Sequence, residues 1–389
     1  MMNEAWKSAN QVIALLEAHQ YEAVIVGGAV RDFLLQKKAN DVDVATSALP
    51  EQVKEIFSKT VDVGIEHGTV LVVDFEEPIE VTTFRTEGAY TDHRRPDAVT
   101  FVRSLAEDLK RRDFTINAMA IRPDGTLVDL FGGQADLQQR IIRAVGNPTE
   151  RFTEDALRII RAIRFSAQLD FKIEKQTALA MKKTAHFLNE IAVERIKAEL
   201  DKIFVSQSPV NAFQHLEMLE VGPFLAGEFA LAKKWADFTP VTDAKIAWTY
   251  WVILTDQSEL LTRYKCSNAE KQFVRNSRQC FDILQQGQPT KMQLFQYDDV
   301  YWQAAMHCYE AFYASNYPDA EQLFRQKQSL PLQNSSELAV SGKDLMQWTN
   351  QKGGPWLKES LAAILQAVIT SELANDIDAI KQWYLTTYL

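Results

Sequence analysis

Apolar and polar positions follow a short period in the first part of this chain and a longer one in the rest. Residues 22–30, EAVIVGGAV, form an apolar run of strand type that ends in two glycines. DVDVA at 41–45 alternates acid and apolar residues with the period of a strand. A helix is expected next: Ser47 can cap it, Pro50 suits its first turn, and EQVKEIF carries helical spacing. GTVLVVDF (68–75) and IEVTTFR (79–85) read as two further strands, joined by a turn at Glu76-Glu77-Pro78. After a polar stretch at 86–101, INAMAIRPDGTLVDLFGG (116–133) reads as two short strands about a turn at Pro123-Asp124-Gly125. The strands are mostly linked by hairpins, without the regular crossover helices of a doubly wound sheet.

From about Arg151 the period becomes helical. TEDALRIIRAIRFSAQL (153–169) and TALAMKKTAHFLNEIAVERIKAELDKIF (177–204) carry it, and helix-like segments rich in Leu, Ala, Phe and Trp continue to the end. The fold class expected is therefore α+β, a mixed sheet with helices followed by an all-α remainder. A boundary falls near residue 150, with softer ones near 222 and 288. The N-terminal stretch MMNEAWKSANQVIALLEAHQ reads as an amphipathic helix and lacks the basic start of a secretory signal.

Composition narrows the function more than the fold. With 389 residues, 46% of them hydrophobic, the chain can bury more than one core. No apolar run is long enough to span a bilayer, so no membrane role is expected. A net charge of −10 excludes a uniformly basic coat for nucleic acid but leaves room for a local basic track. Cys266, Cys280 and Cys308 are too few for a disulfide framework and are not spaced as zinc ligands, which suits thiols in a reducing cytoplasm. The six histidines are scattered and form no metal set.

The candidate chemistry starts at Asp41 and Asp43. On a strand, residues i and i+2 share a face, so the two carboxylates project together while Val42 and Val44 face the core. They repel unless compensated, and Mg²⁺, which takes carboxylate and phosphate oxygens together, compensates well. A bare D-x-D is more often a solvated strand edge, so its surroundings decide. Upstream, GGAVRD brings Gly27 and Gly28, which allow close backbone approach to a phosphate, and Arg31, which can add a charge-assisted contact. The glycines are adjacent, no third follows at the dinucleotide spacing, and the acids come as a pair and early, so a Rossmann fingerprint is a poor fit.

GGAVRD followed by DVDVA resembles motif A of the class II tRNA nucleotidyltransferases, the family of CCA-adding enzymes and bacterial poly(A) polymerases within the polymerase-β-like superfamily. RRDFTINAMAI (111–121) resembles motif B, DLFGGQADL (129–137) motif C, EDALRIIRAIRF (154–165) motif D and VERIKAEL (193–200) motif E. The five occur in order over roughly the first half of the chain. The resemblance implies a polymerase-β-like head at 1–150, a helical neck at 151–222 that selects the nucleotide, a helical body at 223–288 and a helical, tRNA-binding tail at 289–389. Asp41 and Asp43 would be catalytic and hold Mg²⁺. Gly27 belongs to the phosphate loop, and Gly28, Arg31 and Arg112 would contact the nucleotide.

In motif D, Thr153 is an N-cap candidate with Glu154 and Asp155 in the first turn, and arginines fall at 158, 161 and 164. Steps of three drift by about 60° on a helix, which places Arg164 roughly opposite Asp155. A carboxylate beside a guanidinium offers acceptors and donors to the Watson–Crick edge of a base. It can serve cytosine and adenine, which carry an amine, and reject uracil and guanine, which present an oxygen there. The resemblance implies this role for Asp155 and Arg158, and nucleotide binding for Arg161 and Arg164.

TEGAYTDHRRPD (86–97), with Arg94 and Arg95, resembles the family's flexible loop between motifs A and B. The motif C stretch, with Asp129 and Asp136, implies a hinge between head and neck. SGKDLM (341–346) and QKGGPWLK (351–358) resemble a tail element, with Gly353 where proline is more usual. Lys343, Arg325, Lys327, Lys352 and Lys358 are candidates to track tRNA phosphates. Together these imply a cytoplasmic enzyme that adds C, C and A in sequence, without a template, from CTP and ATP to the tRNA 3′ end and releases pyrophosphate. A poly(A), CC-only or A-only enzyme of the same family, and a catalytically silent RNA-binding homologue, are the alternatives. A homodimer is left open.

Overall fold

The expected amphipathic helix forms at the start, as α1 (Glu4–Ala18), where the Asn3 side chain accepts from the Trp6 N–H and the face bearing Trp6, Val12, Ile13 and Leu16 is buried. This is a computed structural model that describes residues 3–39, 41–64, 68–87, 99–229, 231–314 and 319–388. These fall into two compact units, one ending at Lys233 and one beginning at Lys234.

In the first unit the apolar run becomes β1 (Ala23–Val26), buried on both faces, and Gly27 turns it into a short helix, α2 (Gly28–Leu34). Next come β2 (Asp43–Thr46), α3 (Pro50–Ile56), β3 (Thr60–Gly64), β4 (Thr69–Val72) and β5 (Ile79–Thr83). The strand expected at 41–45 thus begins at Asp43. Its last rung on β1 is Val26↔Asp43, and beyond Val26 the partner turns away at Gly27, so Asp41 has nothing to pair with. Ser47 does not cap α3 either: its hydroxyl accepts from the Glu22 N–H, while the Gln52 side chain accepts from the Leu49 N–H at the helix start.

A two-stranded ribbon, β6 (Arg85–Glu87) with β7 (Val99–Phe101), precedes α4 (Leu105–Lys110). Of the loop expected at 86–97, residues 88–97, including Arg94 and Arg95, lie outside the described residues. The turn at 123–125 joins β8 (Met119–Ile121) to β9 (Leu127–Asp129) as expected. Among the described residues these strands form one mixed sheet in the order β3-β4-β5-β2-β1-β8-β9, in which only β2 and β5 run parallel. β2, with its acid-bearing end, therefore sits well inside the sheet.

Motif C closes the head. Asp129 accepts from the N–H groups of Phe131, Gly133 and Gln134, fixing the turn into α5 (Gly133–Gln139). Asp136 is buried, accepting from the Thr115 hydroxyl and Arg143. Both acids are thus used in building the turn. The chain then runs through β10 (Ile141–Ile142), α6 (Pro148–Glu154), α7 (Leu157–Leu169), β11 (Lys172–Ile173), α8 (Lys175–Thr184), α9 (Val193–Phe204) and α10 (Pro209–Met218). Apart from the two-residue pairing of β10 with β11, everything after the head in this unit is helical or irregular.

The second unit holds α11 (Ala244–Thr255), α12 (Leu260–Arg263), α13 (Asn268–Gln286), α14 (Lys291–Gln296), α15 (Asp299–Tyr313), α16 (Ala320–Gln328), α17 (Gly342–Thr349), α18 (Trp356–Ile369) and α19 (Ile377–Tyr388). Its core is aromatic: Trp248, Trp251 and Tyr264 are buried with ring centroids 5.2–5.9 Å apart. Burying each such side chain contributes about 2–3 kcal/mol. Cys266, Cys280 and Cys308 are buried and form no disulfide. SGKDLM starts α17 with a capping box in which Asp344 accepts from the Ser341 N–H and hydroxyl. Lys327 is committed internally, to Asp299 at 2.7 Å and the Tyr297 carbonyl at 2.6 Å, and so does not reach outward. Among the described residues no helix is long and apolar enough to cross a membrane.

Candidate active site

A cavity of about 870 Å³ opens where the β1–α2 turn, the start of β2 and one face of α7 meet. All ten residues singled out from the sequence line it: Gly27, Gly28, Arg31, Asp41 and Asp43, then Arg112, then Asp155, Arg158, Arg161 and Arg164. Eight cationic side chains (Arg31, Arg111, Arg112, Arg158, Arg161, Arg164, Arg195, Lys202) face five acids (Asp32, Asp41, Asp43, Asp113, Asp155), a local excess of +3. In a chain of net charge −10, that concentrates positive charge at one place.

The glycine turn is sterically required. Gly27 has φ +72°, and a Cβ there would lie 2.9 Å from Arg112 Nη1. Arg31, on α2, donates to Asp32 and to the Asn117 side chain at 2.9 Å, and its guanidinium lies 5.3 Å from the Phe165 ring centroid. Asp41 is exposed and Asp43 half-buried. Burial raises the Asp43 carboxyl above the ordinary range, the negative Glu80 and Asp41 add to this, and Arg112 only partly offsets it.

Motif B supplies a second layer. Arg111 and Arg112 both grip Asp108, on α4, which is fully buried. Burial raises that carboxyl, and the two guanidiniums more than reverse the effect, leaving it below the usual range. Arg112 Nε is buried with no hydrogen-bond partner. Asp113 pairs with Arg161 at 2.5 and 2.8 Å, rather than with its arginine neighbours, and accepts from Asn117 at 3.2 Å. Despite burial, Arg161 and these hydrogen bonds hold Asp113 down at about 2. Thr115–Asn117 coils into a 3-10 turn instead of continuing extended, and this turn delivers Asn117 to both Asp113 and Arg31.

Motif D differs most from its sequence pattern. A single helix capped by Thr153 is expected; two helices form, with Asp155 and Ala156 between them. Asn147 and Pro148 start the first helix earlier, Asn147 capping it, and Thr153 sits inside it, bonded to the Thr149 carbonyl. Asp155 is extended (φ −138°, ψ 101°) and accepts from the Leu157 N–H, so it is not a first-turn acid. Arg195, on α9, holds Asp155 at 2.8 Å. Arg158 is buried against Glu154 at 2.7 Å and the carbonyls of Arg151 and Arg111. Arg164 lies on the cavity wall, contrary to its place on an ideal wheel. Its Nε is 2.7 Å from Glu199 Oε2, an ion pair without the alignment of a hydrogen bond, and burial pulls its guanidinium down to about 10. Phe165 underlies the set, its ring centroid 4.1 Å from Arg164 and 5.6 Å from Arg161.

Sequence reasoning missed Asp108, Arg195, Glu199 and Phe165. Arg195 and Glu199 lie inside the motif E stretch, which was the available signal. An acid in the short helix α4 carried none.

The comparisons with known proteins match three stretches of the chain. Residues 23–143 match the family described as "Poly A polymerase head domain", 170–226 "Probable RNA and SrmB- binding site of polymerase A", and 239–384 "tRNA nucleotidyltransferase domain 2 putative". The chain is 42% identical to a CCA-adding enzyme of Levilactobacillus brevis, with 97% of each covered. It is 40% identical to one of Bacillus cytotoxicus, covering 97% of this chain and 98% of that one. The crystal structure of the Bacillus stearothermophilus CCA-adding enzyme in complex with CTP superimposes with a TM-score of 0.89 at 37% identity, over 99% of this chain and 98% of that one.

Proposed function

This chain belongs to the CCA-adding enzymes, and from that premise we propose that the cavity lined by Asp41, Asp43 and the motif D arginines joins a nucleoside triphosphate to the 3′ end of tRNA. The protein is a tRNA nucleotidyltransferase with a polymerase-β-like head, adding C, C and A from CTP and ATP and releasing pyrophosphate. The observation that carries the assignment of the site is the local excess of +3 around a paired set of acids in an acidic chain.

Gly27 and Gly28 bring backbone close enough to line the triphosphate path. Arg31 and Arg112 neutralise its charge, and the partnerless Arg112 Nε is a donor in want of an acceptor. The RNA 3′-oxygen bonds to the α-phosphorus as the bond to pyrophosphate breaks. Asp155 and Arg158 meet the base edge. Arg161 and Arg164 complete that wall, braced by Asp113 and Glu199.

The family is generally metal-dependent, and we assign Mg²⁺ to Asp41 and Asp43. The donor set suits it: hard carboxylate oxygens, with Asp43 pushed up by burial and by neighbouring negative charge that a cation would relieve. Among the described residues no third His, Cys, Asp or Glu joins them, so substrate oxygens would complete the shell. Bound there, the ion would neutralise the triphosphate and make the attacking hydroxyl more acidic. We also assign head, neck, body and tail to 1–150, 151–222, 223–288 and 289–389, and place the protein in the cytoplasm, where tRNA and nucleoside triphosphates meet.

Asp43→Asn tests the metal assignment with two readouts. Nucleotide addition should fall at least roughly a thousandfold. In chelator at neutral pH the thermal midpoint should rise. A carboxyl whose pKa is raised on folding supports the fold below its unfolded value of 3.8 and loses that support as pH climbs through the folded value. Full activity of the variant in Mg²⁺ would reject the assignment.

A further inference from the structure

Asp155 is held by an arginine from a different helix. It is the C-cap residue of α6, its N–H donating to the Arg151 carbonyl at 3.3 Å and its carbonyl accepting from the Arg158 N–H at 3.1 Å. The orientation of its carboxylate is set by separate side-chain contacts. Oδ1 accepts from the Leu157 N–H at 3.1 Å and from Arg195 Nη1 at 3.4 Å, and Oδ2 accepts from Arg195 Nη2 at 2.8 Å. Arg195 reaches it from the first turn of α9, and both side chains belong to the cavity wall, Arg195 30% and Asp155 15% exposed.

We propose that Arg195 is the positioning residue that sets base selectivity, by holding the Asp155 carboxylate in a fixed orientation as an acceptor so that only bases with an exocyclic amine can pair with it. The inference rests on the reading above, in which Asp155 meets the base. A carboxylate has about four lone-pair sites. The bonds described take two on Oδ1 and one on Oδ2, so acceptor capacity is left mainly on Oδ2. Cytosine N4 and adenine N6 donate to such an oxygen. Uracil O4 and guanine O6 meet it lone pair to lone pair.

The rejection fails if the carboxyl can turn away, because the acceptor oxygen then no longer faces the base edge. A two-pronged guanidinium prevents this by fixing the plane of the carboxylate. Arg158, which the sequence pattern sets beside Asp155, is committed to Glu154 at 2.7 Å, so the grip described on Asp155 comes from α9.

The test is the ratio of kcat/KM for UTP to that for CTP, measured on full-length protein with tRNA ending before CCA. Arg195→Ala should raise the ratio by roughly tenfold, with UTP incorporation rising relative to CTP. Arg195→Lys keeps a cation but loses the two-pronged grip. It should raise the ratio less, and it carries the test if the alanine variant does not fold. In an Asp155→Ala background, Arg195→Lys should leave the ratio unmoved. A ratio unchanged in both Arg195 variants, with CTP and UTP use falling together, would reduce Arg195 to a structural role and overturn the proposal. If Asp155→Ala itself leaves the preference for CTP over UTP intact, the base-reading assignment fails. If Asp155→Ala abolishes the preference while the Arg195 variants keep it, only the present inference fails.

Discussion

Two aspartates in one cavity are pushed in opposite directions. Asp43 has burial and two acids against it, whereas Asp113 has Arg161 and Asn117 in its favour and is held at about 2. A group whose pKa is lowered on folding contributes stability above its unfolded value, here 3.8, and that contribution disappears as pH falls through 2. At neutral pH it is worth about 2 kcal/mol. Asp113→Ala should therefore destabilise the protein by about 3 kcal/mol at pH 7, since it also removes the main partner of Arg161. The difference from the wild type should shrink between pH 4 and pH 2, as urea unfolding at several pH values would reveal. At this scale the sequence was informative wherever residue type alone carries the chemistry: paired acids, adjacent glycines, arginines at steps of three. It was silent on who pairs with whom. Asp113 stands beside Arg112 in the chain yet bonds to Arg161, 48 positions away, because the fold and not adjacency chooses the partner.

Elements explain the rest of the site's layout. Motif D reads as one helix by periodicity, but Asn147-Pro148 starts the helix early and Asp155 leaves it, restarting the spiral at Leu157. A wheel drawn from Glu154 therefore misplaces Arg164, which shares the cavity with Asp155. The D-x-D strand was legible, though not its first residue, since β2 begins only where β1 is still there to pair with it. Motif C works by close packing. A Cβ on Gly133 would lie 2.3 Å from the Thr115 carbonyl and 2.9 Å from Met119, and backbone cannot yield as a side chain can. Gly133→Ala should cost about 2 kcal/mol or more in denaturant unfolding. It should also raise KM for CTP, because the displaced 3-10 turn carries Asn117, which holds Arg31.

For the whole molecule, charge is distributed rather than abundant. An acidic chain of net −10 gathers eight cations around one cavity, and composition alone hides that gathering. The helical second unit was legible as helical, but not in its surface roles, because internal use of a lysine such as Lys327 leaves no trace in periodicity. The central claim is that one site, with the protein itself selecting the base, adds C, C and A in order. It is tested most directly by sequencing the 3′ ends made when purified protein receives tRNA ending before CCA, Mg²⁺, and CTP and ATP singly and together. The account predicts additions that stop at CC with CTP alone and a completed CCA only with both nucleotides. Long A tails, or no addition under conditions where a known CCA-adding enzyme works, would contradict it.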